Sequence, residues 1–113
     1  MLFEIRNYHF NPALFAAYKE WAKAEAIPYL AQHLDVTGFW VSTHDAPEVS
    51  GVPQDALGTA NITWIIRWRD LAQRNDVLPR VLASPEWKGR FSRVPGGRAS
   101  YLRVEAKFAE ALA

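Results

Sequence analysis

Four stretches rich in β-branched and aromatic residues, separated by two helical segments, constrain the fold of this chain most. The strand-like stretches are residues 3–10, 36–43, 59–68 and 98–108. The first helical segment, 11–34, starts with Asn11 as a good N-cap and Pro12 at the first helical position, and the second starts after Asp70. The resulting order, β-α-β-β-α-β, is the ferredoxin-like order. It predicts an α+β fold in which a four-stranded antiparallel sheet carries both helices on one face.

Prolines and glycines indicate where these elements are interrupted. Pro28 is expected to kink or interrupt the first helix, and Pro79 to interrupt the second one, which restarts with Ser84 as N-cap. The stretch 44–58 contains two prolines and two glycines and is predicted to be a long exposed loop.

Composition narrows the class of protein. The chain has 113 residues, half of them hydrophobic, which predicts a single domain over residues 1–113 with its own core. Thirteen basic and twelve acidic residues are interspersed, so no nucleic-acid partner is expected. The apolar runs are too short to span a bilayer, and the start lacks the pattern of a signal peptide. We therefore expect a soluble cytoplasmic protein with no membrane partner.

Strand 59–68 alternates in a way that assigns one of its faces. One side of this strand is wholly apolar, and we assign it to the helices; it consists of Ala60, Ile62, Trp64, Ile66 and Trp68. Phe3 and Ile5 of the first strand match it. This leaves the remaining side chains on the open face of the sheet, namely Glu4, Arg6 and Tyr8 beside Asn61, Thr63, Ile65 and Arg67.

This mixed face predicts a homodimer. Charged groups in the centre of a sheet are costly unless they are paired, and a second copy of the same sheet would cover the apolar members. The expected dimer interface consists of Glu4, Arg6, Tyr8, Asn61 and Arg67.

Motifs in nearly every element resemble the NIPSNAP family, whose first strand follows the pattern Y-E-x-R-x-Y. The matching residues are Phe3, Glu4, Arg6 and Tyr8, then Pro28, then Gly38, Phe39 and Trp40, the Trp-containing third strand, and Ser84, Pro85, Glu86 and Trp87. Phe3 in place of the tyrosine and the long 44–58 stretch depart from the pattern. The resemblance implies a dimeric α+β barrel related to cofactor-free monooxygenases of the antibiotic-biosynthesis type and to muconolactone isomerase. It implies no reaction, because the family has no settled biochemical activity.

Motifs for common cofactors and metals do not occur in the sequence. There is no phosphate loop, dinucleotide fingerprint, serine elbow or HExxH pattern, and no cysteine. His9, His33 and His44 lack the spacing of a helical metal pair. We predict no metal site and no cofactor.

A pocket between sheet and helices is the predicted place for chemistry. Asn7 and His9 continue the side assigned to the helices, and His9 could act as a general base. Trp21, Trp64 and Trp87 could wall the pocket, with Tyr8 as a further ligand-binding residue. The alternative is structural: His9 lies at an exposed strand end, Asn7 satisfies a local backbone group, and the tryptophans belong to the core.

Three functions follow from these patterns. The first is a NIPSNAP-like homodimer that binds a small, largely apolar or aromatic molecule. The second is a cofactor-independent monooxygenase or isomerase that acts on an activated aromatic or lactone substrate through His9, Tyr8 or Asn7. The third is a protein-interaction module.

Overall fold

A computed structural model describes residues 1–43 and 55–113. The described part contains four strands and four α-helices: β1 (Leu2–Phe10), α1 (Phe15–Trp21), α2 (Ile27–His33), β2 (Val36–Val41), β3 (Ile62–Trp68), α3 (Leu71–Leu82), α4 (Pro85–Phe91) and β4 (Tyr101–Ala109). Short 3₁₀ turns precede α1 and β4. The strands form one sheet in the order β2-β3-β1-β4, and every neighbouring pair is antiparallel. This confirms the ferredoxin-like α+β prediction. Most of the predicted loop, residues 44–54, lies outside the described residues.

The first helical segment is distorted but not broken near Pro28. A π-helical turn, Ala22–Ala26, joins α1 to α2, and the N–H of Ile27 bonds to the carbonyl of Ala22. Pro28 follows this π turn directly, in the first turn of α2. Because proline has no N–H, one helical hydrogen bond is missing there, and the π turn accommodates the distortion without ending the helix.

The predicted interruption at Pro79 is wrong. Helix α3 continues through Pro79 to Leu82. The carbonyl of Asn75 loses its helical partner there, but Asn75 is exposed, so water can replace that hydrogen bond. The predicted restart is confirmed, since the Ser84 hydroxyl accepts a hydrogen bond from the Trp87 N–H at 3.1 Å.

The core lies between the sheet and the helices and is unusually aromatic. Its buried members include Tyr8, Phe10, Tyr18, Trp21, Tyr29, Leu30, Ile62, Trp64, Ile66, Trp68 and Leu78. The Tyr18 ring lies 4.5 Å from that of Phe10, measured between centroids. Burying one such large side chain contributes about 1.5–3 kcal/mol, so these contacts hold the helices on the sheet.

The pairing of β1 with β3 corrects the predicted orientation of β1. Glu4 pairs with Ile66, Arg6 with Trp64, and Tyr8 with Ile62. Residues directly opposite each other in an antiparallel pair point to the same side of the sheet. Glu4, Arg6 and Tyr8 therefore lie on the helix-facing side, and their assignment to the open face is wrong.

The open face, on the opposite side of the sheet, is formed at its centre by Phe3, Ile5 and Asn7 of β1 and by Thr63, Ile65 and Arg67 of β3. The placement of the three β3 residues agrees with the sequence prediction, whereas Phe3 and Ile5 were expected on the other side. Trp40 of β2 pairs with Thr63 and is 50% exposed. Apolar side chains are therefore prominent on this open face.

Candidate functional site: an aromatic cavity with a buried arginine

A cavity of about 290 Å³ lies between the helix-facing side of the sheet and the helices. Eight aromatic side chains line it, together with aliphatic residues and two arginines, Arg6 and Arg98. The aromatic members are Tyr8, Tyr18, Trp21, Phe39, Trp64, Trp87, Phe91 and Tyr101. Its surroundings combine apolar walls with a few polar groups, which is typical of sites for small molecules.

The rings reach the cavity from both layers of the fold. Phe39 of the edge strand β2 is one of the eight. Trp21 and Trp87 come from different helices, and their ring centroids lie 6.3 Å apart. Trp64 projects from the central strand β3 and stacks on Phe39 with a centroid distance of 5.7 Å. The cavity walls are therefore built by the same contacts that hold the helices on the sheet.

A buried ion cluster adjoins one end of this cavity. The Glu4 carboxylate is fully buried and accepts hydrogen bonds from Arg6 Nη1 at 2.6 Å and Arg74 Nε at 2.9 Å. Trp68 Nε1 donates a further bond to it at 3.1 Å. Such pairing is what makes a carboxylate tolerable in the interior.

The cluster keeps its charges. Burial by itself raises the pKa of Glu4, but the hydrogen bonds and charges of Arg74 and Arg6 outweigh it, so the pKa lies below its usual value. Burial lowers the pKa of Arg6, but its interactions with Tyr8 and Glu4 outweigh that effect and raise the pKa. Glu4 is therefore a carboxylate and Arg6 a guanidinium at neutral pH.

Arg6 also fixes the hydroxyl group of Tyr8. The Tyr8 oxygen accepts hydrogen bonds from Arg6 Nε at 2.7 Å and from Trp64 Nε1 at 3.0 Å. The guanidinium carbon of Arg6 lies 5.7 Å from the centroids of both the Tyr8 and the Trp64 ring. These contacts hold the positive charge at the cavity in one orientation.

Two further tyrosines contribute neutral hydroxyl groups to the lining. Burial raises the pKa of Tyr18 and that of Tyr101, and repulsion from the Tyr8 phenol raises both further. The hydrogen bond with Tyr18 offsets only part of the rise in the pKa of Tyr101. Both side chains therefore stay protonated at neutral pH and can donate hydrogen bonds.

Four residues that the sequence analysis proposed for ligand binding come together here. Tyr8, Trp21, Trp64 and Trp87 all line the cavity. Three of them, with the exception of Trp87, are also buried core residues, so the core and pocket interpretations apply to the same side chains. Whether they bind a ligand stays a prediction.

Asn7 and His9 do not lie in the cavity. Asn7 is on the open face, where its Oδ1 accepts a hydrogen bond from Thr63 Oγ1 at 2.6 Å, so its assignment to the helix-facing side is wrong. His9 is buried, and its Nδ1 donates to the carbonyl of Thr59 at 3.0 Å. His9 lines a separate hollow with Phe15 and other residues. The catalytic role that we predicted for Asn7 and His9 stays a prediction without support from the cavity.

The other two predicted interface residues make contacts within the chain. Asn61 Oδ1 accepts from the Phe10 N–H at 2.8 Å, and Asn61 Nδ2 donates to the Phe10 carbonyl at 2.9 Å. The Asn61 amide therefore bonds to the Phe10 backbone as the backbone of a neighbouring strand would. This contact lies next to the register shift between His9 and Phe10. Arg67 Nε donates to Asp35 Oδ2 at 2.8 Å, and this ion pair is about half exposed.

Sequence reasoning missed Arg74 and the cavity position of Arg6. Arg74 follows Glu4 by seventy positions, and its contact depends on how α3 packs on the sheet. One signal was available in the sequence: Trp64 and Trp68 each bring an indole N–H into the core, and a buried N–H needs an acceptor. Tyr8 and Glu4 supply those acceptors.

Neither a metal-binding group of side chains nor a membrane-spanning helix is found in the described residues. Across residues 1–43 and 55–113, no three His, Cys, Asp or Glu side chains are grouped so that they could hold a metal ion. Within the same residues, no helix has the length and apolar character needed to cross a membrane.

Comparison with known proteins identifies the fold. No protein-family model matches the chain, and no curated protein matches it. The structure resembles that of an uncharacterized NIPSNAP domain protein from Burkholderia xenovorans, with a TM-score of 0.75, 18% identity, and coverage of 100% of this chain and 96% of the other. A NIPSNAP family protein of unknown function from Agrobacterium tumefaciens gives a TM-score of 0.73 at 23% identity, over 96% of this chain and 86% of that one. An antibiotic biosynthesis monooxygenase matches at a TM-score of 0.60 and 12% identity, over 100% of both chains. The chain therefore has the fold that the solved NIPSNAP proteins share.

Proposed function

We propose that this protein is a NIPSNAP-family protein that binds a small, largely apolar molecule in the aromatic cavity. The observation that carries the proposal is the cavity itself: about 290 Å³ of space lined mainly by aromatic rings between sheet and helices. The volume is close to the lower end of the range typical of ligand pockets, about 300–1,000 Å³.

The position of the tryptophans provides a direct binding test. Trp21, Trp64 and Trp87 line the cavity, whereas Trp40 is half exposed on the open face. Titration with small aromatic compounds should change the indole emission of wild type and of a Trp40→Phe variant alike. Isothermal titration calorimetry on the same compounds should give a saturable heat with one site per chain.

A substitution at the rim of the cavity locates the site. Val104 of β4 lines the cavity but is 54% exposed, so a larger side chain there reaches the opening with little disturbance of the core. Val104→Trp should weaken binding about tenfold or more, an effect of about 1.4 kcal/mol. Val104→Thr, which nearly conserves the volume, is the matched control and should bind like wild type. Saturable binding that Val104→Trp leaves unchanged would place the ligand elsewhere and contradict the proposal.

We also propose that two copies of the chain associate through the open face. Phe3, Ile5 and Ile65 put apolar surface at the centre of this face, and Trp40 extends it. Covering such a face with a second copy removes apolar surface from water, and twofold dimers are the commonest symmetric assembly. This argument differs from the sequence prediction, since the buried charges of Glu4 and Arg6 lie on the other side of the sheet.

Sedimentation equilibrium tests the proposed dimer. The wild-type protein should sediment as a dimer at micromolar concentration, and Ile65→Lys should shift it to a monomer because the new charge lies at the centre of the face. Ala72→Lys, at an exposed position of α3, is the control and should leave the dimer intact. A wild-type monomer at this concentration would refute the assembly while leaving the cavity proposal in place.

A further inference from the structure

We infer that the cavity selects an apolar, aromatic molecule that carries a carboxylate, and that Arg6 and Tyr8 bind the carboxylate oxygens. The inference rests on the proposed small-molecule function and names the chemical class of the ligand. Three independent features of the described residues support it: the charge of the lining, the unused hydrogen-bond donors, and the rigid placement of those donors.

The lining of the cavity is positively charged. Arg6 and Arg98 are its two charged residues, and no Asp or Glu from the described parts of the chain lines it. Behind the lining, the guanidinium groups of Arg6 and Arg74 share the one carboxylate of Glu4. One positive charge therefore stays uncompensated in this cluster, in a place where partial burial strengthens electrostatic interactions.

Donors remain for a ligand at the point where this charge lies. The Tyr8 oxygen accepts two hydrogen bonds, but its own O–H donates to no acceptor within residues 1–43 and 55–113. Arg6 uses Nε and Nη1, while Nη2 has no acceptor in that same part of the chain. A guanidinium N–H and a phenol O–H together suit a carboxylate, which only accepts hydrogen bonds.

The donors are held in place before any ligand arrives. Glu4 and Tyr8 bond Arg6 from two sides, and the Arg6 side chain is only 16% exposed. Trp64 holds the Tyr8 oxygen from another direction. A ligand therefore loses little affinity to the ordering of these groups, and the aromatic rings contact the rest of the molecule.

Naphthoate and naphthamide test this inference, because they share a shape and differ in charge. Calorimetry on the full chain at neutral pH should show that wild type binds naphthoate at least about tenfold more tightly than naphthamide. Arg6→Gln should bring the two affinities within about twofold of each other while naphthamide binding persists. Lys107→Gln removes a positive charge from an exposed position that pairs with Ile5 on the opposite face, and it should keep the wild-type preference.

A second variant keeps the test valid if Arg6→Gln does not fold. Tyr8→Phe removes the hydroxyl group, retains the ring and leaves the Arg6–Glu4 ion pair in place, so it should weaken naphthoate binding about threefold or more. Circular dichroism and thermal unfolding establish the folding of each variant.

The outcomes separate the inference from the function on which it rests. Equal wild-type affinities for the two compounds, abolished together by Val104→Trp, would overturn the carboxylate inference and support the cavity as a binding site. Failure of wild type to bind any aromatic compound would overturn both proposals. A naphthoate preference that survives both Arg6→Gln and Tyr8→Phe would also overturn the inference, because another group would then recognise the anion.

Discussion

The two sides of the sheet depart from the usual amphipathic pattern, in which charged side chains face outward and only apolar ones face the helices. The helix-facing side buries the ion pairs of Glu4 with Arg6 and Arg74, together with the Tyr8 hydroxyl. The open face lies on the opposite side of the sheet and presents the apolar side chains of Phe3 and Ile65.

This difference shows that whether a side chain is buried in this fold depends on its hydrogen-bond partners as well as on its hydrophobicity. A charged side chain is stable inside when those of its polar atoms that are shielded from water have hydrogen-bond partners, and the buried side-chain polar atoms of the described residues all have one. Apolar side chains on the open face have no such requirement and gain only if a second surface covers them. Hydrogen bonds therefore help to specify the helix-facing side, whereas the open face presents apolar side chains that a single chain leaves partly exposed.

The largest expected effect comes from breaking the buried cluster. Glu4→Gln leaves Arg6 and Arg74 without their carboxylate and should lower the free energy of unfolding by about 3 kcal/mol, as measured by urea denaturation. Glu105→Gln, at an exposed position that pairs with Asn7, is the matched control and should change it by less than about 0.5 kcal/mol. Similar losses in both variants would mean that the two sides do not differ in this respect.

The same cluster predicts a pH dependence. Because the pKa of Glu4 is lower in the folded chain than its ordinary value of 4.5, its contribution is fully present above that value and is lost as the pH falls through the folded pKa. The stability gap between wild type and Glu4→Gln should close below about pH 4.5, by up to about 1.4 kcal/mol per pH unit. Urea denaturation of both proteins from neutral pH to pH 3 measures it, and a gap that widens on acidification would contradict the expected sign.

A smaller effect is expected from the polar pair on the open face. Thr63→Val removes the hydroxyl donor to Asn7 while nearly conserving shape, and should cost about 1 kcal/mol in urea denaturation. Thr37→Val, at an exposed position of β2, serves as the control with no expected change. A loss as large as that of Glu4→Gln would show that hydrogen bonds specify the open face too.

The smallest effect is expected at Gly38. A Cβ atom there would lie 2.2 Å from the Trp40 ring, so the ring must move, but Trp40 is half exposed and free to do so. Gly38→Ala should change the free energy of unfolding by less than about 1 kcal/mol and shift the Trp40 emission. Ala106→Gly, on β4 opposite Arg6, provides a strand control away from that ring. A large loss of stability would show that the Trp40 ring has no room to move away from residue 38.

Local sequence signals account for much of the fold. Asn11, Asp70 and Ser84 cap helical segments as their side chains predict, because each offers an oxygen to a free backbone N–H. The alternation of Ile62, Trp64 and Ile66 correctly indicates the buried side of β3. Pro79 was misleading because a helix on the surface can lose one hydrogen bond to solvent without ending.

The candidate site was predictable only in part. Tryptophans on α1, β3 and α4 indicated a wall between sheet and helices, and Trp21, Trp64 and Trp87 do line the cavity. The positions of Arg6 and Asn7 were exchanged, since β1 carries apolar and polar side chains on both of its faces. Hydrophobicity alone could not orient such a strand.

The sequence by itself determined the order of the elements, the helix starts and the buried side of β3, because these depend on neighbours a few residues away. Tertiary structure decided which side of β1 faces the helices. A period of two residues shows which side chains share a face but not which face is covered. That choice depended on Arg74, Trp64 and Trp68, whose donors reach Glu4 and Tyr8 only once the sheet and α3 have assembled.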